Sequence, residues 1–235
     1  MLELINETYA HKQKALFDEL ETQFAAGLKP SNIYDRISNY DLDTRSSLTL
    51  IVRPPKSMLD KIIAEVIKPL SEADPRQYYY TPQSLHLTLL CLTLATDPPA
   101  YQISNFPQVI SIIKHVLKTY HPLDFKLQDL FKLPNSLGIR AYSTSALSSI
   151  INELRQQLKH LSLADKLYLA SDKIYFSNIT VCRYTTKPNQ LFMQKLNELQ
   201  NVDIGLCDTT NVELVTSNFA FSPNKIEIQQ KFVMT

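Results

Sequence analysis

Glycine is nearly missing from this chain: 235 residues contain three, Gly27, Gly138 and Gly205. A Walker loop or a dinucleotide fingerprint needs several glycines within one turn, so enzymes built on those motifs are excluded. Cysteine is as scarce. Cys91, Cys182 and Cys207 are an odd number with no C-x-x-C pair, which argues against a disulfide framework and against a zinc site. Cys91 and Cys182 fall in expected strands and read as small buried hydrophobes. Charge of one sign is also lacking. Twenty-four Lys+Arg against 23 Asp+Glu leave a net charge of +1, so no global field holds duplex DNA or a membrane, and only a local basic patch is left for nucleic acid. No run of 18 apolar residues occurs, and MLELINETYA lacks a basic segment followed by an apolar one. The expectation is a cytoplasmic protein without a membrane span.

What is present is an ordinary globular composition, 44% hydrophobic and 20% charged, enough for a sizeable core. Ile5, Tyr9, Leu16, Leu20 and Phe24 recur at helical spacing over residues 1–27, and Gly27 and Pro30 end the pattern. The first β-branched run, LTLIV, is closed by Pro54-Pro55, which sets a main domain at 46–235 behind an N-terminal helical extension, 1–45. Helices are expected at 57–70, 103–119, 145–160 and 188–200. Strands are expected at 85–94 and 174–184, in two short pieces between 122 and 143, and in two closing runs. A strand–helix–strand–helix set thus appears twice.

Two strands carry polar residues in otherwise apolar surroundings. LHLTLLCL places His86 and Thr88 two apart, and SNITVCRY does the same with Asn178 and Thr180. Residues i and i+2 of a strand share a face, so each half presents one polar pair. Asn178-Ile179-Thr180 also fits the glycosylation pattern N-x-[ST], which matters only on an exposed loop of a secreted chain. By strict alternation Arg183 points away from Asn178, and either a phosphate clamp or a structural ion pair suits it. Alternation puts Tyr184 on the Asn178 face, where it stacks on a base or, the favoured reading, packs. Tyr80, in the Tyr78-Tyr79-Tyr80 run, borders a cleft or joins the core.

The stretch from Tyr79 through Pro82, Leu85, His86 and Thr88 to Leu89 resembles the first motif of the 2H phosphoesterases, which include RNA 2′,3′-cyclic phosphodiesterases, also called 2′-5′ RNA ligases. The passage over 122–160 is similar to that family's central strands and helix. The resemblance spans about 46–235 and leaves the N-terminal helix unexplained. It implies an α+β fold: a bilobal, pseudo-symmetric arrangement of two antiparallel-sheet lobes around a central cleft, helices outside. It also implies catalytic positions at His86, Thr88, Asn178 and Thr180, substrate contacts at Arg183, Tyr184 and Tyr80, and neither metal nor cofactor. The family's second motif is His-x-Thr-apolar-x-Arg. Here everything is in register except the histidine, which is Asn178.

In the family mechanism one histidine is the general base and the other the general acid across a phosphodiester. Imidazole suits both roles, and asparagine keeps only the hydrogen-bonding part. His160-Leu161-Ser162 is a rival second motif, discounted because His160 ends a helical pattern, where it caps carbonyls. Three functions follow: an enzyme acting on 2′,3′-cyclic or 2′-5′ phosphodiester bonds of RNA or small nucleotides; a catalytically impaired module binding a nucleotide or RNA end with a 2′-phosphate or cyclic phosphate; or a scaffold docking a protein partner through its N-terminal helix.

Overall fold

The structure, a computed structural model, describes residues 7–26, 40–161, 163 and 175–234. Its elements run α1 (Glu7–Ala25), β1 (Ser46–Val52), α2 (Lys56–Ile62), α3 (Lys68–Ala73), β2 (Tyr78–Tyr79), β3 (Leu87–Thr96), α4 (Phe106–Leu117), β4 (Leu123–Leu133), β5 (Ser136–Tyr142), α5 (Ala146–Leu158), β6 (Ser177–Arg183), α6 (Gln190–Glu198), β7 (Asp203–Thr209), β8 (Asn211–Ser217) and β9 (Glu227–Val233). The helix expected at 57–70 is interrupted: α2 and α3 are joined by a π turn, Ile63–Ile67. Pro69 follows at once, has no N–H to give and crowds the carbonyl four residues back, which a widened turn relieves. The glycosylation pattern falls inside β6, not on a loop.

The strands form one antiparallel sheet in the order β7-β4-β5-β6-β3-β1-β8-β9, with β2 added alongside β6. Four strands lie on each side of the β6–β3 junction, and that junction is a single residue pair, Leu87 opposite Ile179. This is the bilobal α+β arrangement expected from the sequence, with the seam where the two motif strands meet. Leu87 and Ile179 are fully buried, in one apolar cluster with Ile62, Val66, Val109, Ile113, Ile150, Leu154 and Phe192 from the helices. Their face of the sheet is therefore the helix-covered one, and residues flanking them in sequence point to the opposite face.

That opposite face is covered at one end by α1. Tyr9, Gln13, Phe17 and Leu20 are its buried residues, spaced four, four and three apart, which keeps them on one stripe of a helix. Phe17 meets the rings of Phe131 at 4.8 Å, Phe176 at 4.4 Å and Tyr142 at 5.6 Å. Gln13 is polar within this stripe and is satisfied. Its amide donates to the Tyr175 carbonyl at 2.7 Å and its oxygen accepts from the Ser143 N–H at 2.9 Å. The apolar face that the sequence offered to a partner is thus occupied by the chain's own sheet. No helix among the described residues is long and apolar enough to cross a membrane.

Candidate phosphate-binding face

His86 stands just before β3, and Leu87 of β3 opposes Ile179 of β6. Because that pair points into the core, His86, Thr88, Asn178 and Thr180 all project onto the other face, from two neighbouring strands. The register with β5 extends the row: Arg140 opposes Asn178, Gly138 opposes Thr180, and Ser136 opposes Arg183. Directly opposed residues of an antiparallel pair share a face. Residues 136, 138 and 140 alternate regularly, so Asn178, Thr180 and Arg183 all lie on the His86 side.

This corrects two expectations. Arg183 lies three positions from Thr180 while Ser136 lies two from Gly138, so β6 carries one extra residue and the register shifts there. A bulge of this kind inverts the alternation beyond it. Arg183 therefore joins Asn178 and does not point away. Tyr184 goes the other way: it is buried, edge-on to Phe192 of α6 at 5.9 Å, and belongs to the core. Tyr80 is buried too. Its hydroxyl accepts a 2.9 Å bond from Arg183 Nε, so it supports Arg183 from beneath and does not line an open wall. Arg183 also donates to the Phe219 carbonyl at 3.2 Å and lies 4.1 Å over the Phe219 ring.

His86 is held on two sides. Its Nδ1 is 2.7 Å from the Ser84 carbonyl, so Nδ1 carries the proton and donates it. That leaves Nε2 with a lone pair. One ring face stacks on Phe221, centroids 3.8 Å apart. The residue is 7% exposed. Burial, opposed by the Ser84 bond and reinforced by the charges of Arg53 and Arg183, pushes its pKa down to about 4. His86 is thus neutral at pH 7. Phe221 sits at φ 53°, a left-handed conformation rare for an aromatic residue, of a kind that costs about 1–3 kcal/mol. Asn218 sustains the turn: its amide donates to the Tyr40 carbonyl at 2.6 Å and its oxygen accepts from the Ser222 N–H at 2.9 Å.

Three residues of this face were not anticipated. Arg53 follows β1 and is tied to Glu213 at 2.7 Å and to the Gln83 carbonyl at 2.5 Å. Its only sequence signal is a cation at the end of a buried strand. Gly138 is the second: a Cβ there would come within 3.0 Å of Asn178 Nδ2 and 3.1 Å of the Ile179 carbonyl oxygen. Arg140, the third, has its side chain 4% exposed and pairs with Asp18 at 2.6 Å and Glu21 at 3.1 Å, both from α1. Arg183, by contrast, forms no ion pair with a carboxylate among the described residues. His160 lies in a 3-10 turn after α5 with its Nε2 2.9 Å from Gln108 Nε2, and it takes no part in the face.

No protein-family model matches the chain, and no curated protein is significantly similar to it. Solved structures are similar. TT0787 of Thermus thermophilus superposes with a TM-score of 0.60 at 16% identity, covering 80% of this chain and 97% of its own. E. coli LigT in complex with 3′-AMP gives 0.57 at 15% identity, over 81% of this chain and 99% of LigT. A protein described as a phosphoesterase gives 0.55 at 14% identity, over 81% and 99%. At these identities the likeness is one of fold: the chain is built on the LigT-like α+β scaffold, with α1 laid across its motif-bearing face.

Proposed function

We propose that the chain binds a nucleotide or RNA end through its terminal phosphate at Thr88, Asn178, Thr180 and Arg183, with His86 beside them as the base, and hydrolyses 2′,3′-cyclic or 2′-5′ phosphodiesters there weakly. The observation that carries this reading is the Leu87–Ile179 pair, which turns both polar strand pairs to one side, together with the bulge that adds Arg183 to them. Two hydroxyls, an amide and a guanidinium are all donors to phosphoryl oxygens, and a guanidinium–phosphate bond is among the stronger ones. Support by analogy comes from LigT, which has been solved with phosphate and with 3′-AMP on the same scaffold. Asn178 favours the second reading, a module that binds and does not turn over, because one proton transfer of the two-histidine scheme has no owner.

The deciding experiment uses adenosine 2′-monophosphate and adenosine 2′,3′-cyclic phosphate. The 2′-nucleotide should raise the melting temperature, and Arg183→Ala should remove most of the shift; equal shifts in wild type and variant would move binding elsewhere. A positioned acid or base contributes about 10²- to 10⁴-fold. Asn178→His should therefore raise cyclic-phosphate hydrolysis at least about tenfold, the margin allowing for a backbone not tuned to the ring. Absence of turnover in every variant, with binding retained, would establish the module.

A further inference from the structure

The geometry points to a site that owns one imidazole base and no second imidazole to serve as acid, and so to phosphoryl substrates whose leaving oxygen departs as a stable anion, nucleotide phosphoanhydrides being the common biological class. This rests on the phosphate-binding reading above and narrows it by leaving group.

His86 has only one role open to it. The Ser84 carbonyl fixes the proton on Nδ1 at 2.7 Å, and Phe221 stacks on the ring, so Nε2 can take a proton but has none to give. At the partner position stands an amide, which exchanges no proton near neutrality. The remaining neighbours do not substitute. Thr88 and Thr180 are ordinary hydroxyls; Arg53 and Arg183 keep their protons at any physiological pH. Glu213 is engaged by Arg53 at 2.7 Å and Lys231 at 3.4 Å. The Tyr80 hydroxyl is buried under Arg183. Tyr78 opposes Arg183 on this face, but its hydroxyl is turned to Ser222 Oγ at 3.5 Å and its ring packs against Tyr40 and Tyr80. Among the described residues of this face, no second imidazole stands opposite His86.

The reaction such a site supports is balanced as follows. Water attacks phosphorus, one of its protons passes to His86 Nε2, and the bond from phosphorus to the leaving oxygen breaks with its electron pair on that oxygen. The phosphoryl product keeps the added hydroxyl. The leaving group departs as an anion, with Arg183 beside the developing charge, and His86 later returns its proton to solvent. A phosphate leaving group, with a second pKa of about 6, makes this departure easy. A phenol, at about 10, is poorer, and a ribose hydroxyl is poorer still.

The test is a leaving-group series. Aryl esters of 2′-deoxyadenosine 3′-phosphate, from 4-nitrophenyl to unsubstituted phenyl, together with the ethyl ester, avoid attack by a neighbouring 2′-hydroxyl. Wild type should hydrolyse the nitrophenyl ester and fall by about 10²-fold or more toward phenyl, the factor a missing acid withholds. Asn178→His should flatten this slope, gaining at least about tenfold on phenyl and ethyl esters and under about threefold on nitrophenyl. His86→Ala should abolish nitrophenyl turnover, assigning it to this face. If the variant folds poorly, the wild-type slope decides alone. A shallow wild-type slope, or an equal gain from Asn178→His on every ester, would overturn the inference while leaving a phosphodiesterase. No nitrophenyl turnover at all, with adenosine 2′-monophosphate still bound, would remove catalysis and this inference together.

Discussion

Asn178 owes its position to a residue it does not bond. Gly138 is one of three glycines in the chain, and its backbone torsion is not among the positive-φ glycines, so what it supplies is room. A methyl group there would press on Asn178 Nδ2 at 3.0 Å and on backbone oxygen at 3.1 Å. Overpacking of this kind costs typically about 1–3 kcal/mol. Gly138→Ala is therefore expected to lower the melting temperature and to weaken adenosine 2′-monophosphate binding by displacing the amide; unchanged affinity would show that the amide does not touch the phosphate. His86 makes a prediction of its own. With its pKa at about 4, the ring stays neutral well below the usual histidine range. The acid limb of kcat/KM, which reports the free protein, should then lie near pH 4 for any ester that is turned over. A limb near pH 6.5 would mean that the ring is more exposed in solution than in the structure.

At the scale of elements, α1 reaches the sheet because an arginine is buried there. Arg140 is enclosed on the strand next to Asn178, and the structure answers that charge with Asp18 and Glu21 one helical turn apart, and with the Phe17 ring 5.2 Å away. Removing one side of a buried pair costs about 3–5 kcal/mol, whereas replacing the buried charge by an apolar residue is often neutral. The consequence is asymmetric. Asp18→Asn/Glu21→Gln should cost on the order of 3 kcal/mol in urea unfolding, because it strands Arg140. Arg140→Met should cost distinctly less, since both carboxylates reach water: their side chains are 49% and 22% exposed. Phe17→Ala, which empties the aromatic cluster, should cost about 3–5 kcal/mol. Similar losses for both charge variants would mean that the ion pairs do not hold the helix.

For the whole molecule, the buried polar groups set how it responds to acid. His86 has a folded pKa below its ordinary 6.5, so the unfolded chain binds the proton more tightly. Stability from this group is complete above pH 6.5 and falls as pH drops toward 4, by on the order of 3 kcal/mol. Asp74 extends the loss. Its carboxylate accepts from Arg76 and Gln77 and from the Asn189 N–H, which hold its pKa well below the usual carboxylate range. Its stabilisation is present above its unfolded pKa and disappears further down. Urea midpoints should therefore decline in two stages, one between pH 6.5 and 4 and a second below. His86→Phe, which suits a stacked apolar pocket, should erase the first stage alone, and persistence of that stage would assign it to other groups.

Much of this is legible from residue order. The apolar periods at 145–160 and 188–200 mark α5 and α6 closely, since spacing alone decides which side of a helix is greasy. The pairs His86/Thr88 and Asn178/Thr180 are legible as shared faces, because a strand alternates by two. That these faces coincide is not: it depends on one cross-strand contact, Leu87 with Ile179, between residues far apart in the chain. Strict alternation puts Arg183 and Tyr184 on the wrong sides because alternation is local and a bulge is not. The extra residue in β6 exists only relative to β5. Arg53, Arg140, Phe221 and the burial of α1 belong to the same class. Local order determined the elements and the polar residues they offer; only tertiary register decided which of those residues meet, because meeting is a property of pairs of strands and no single segment carries it.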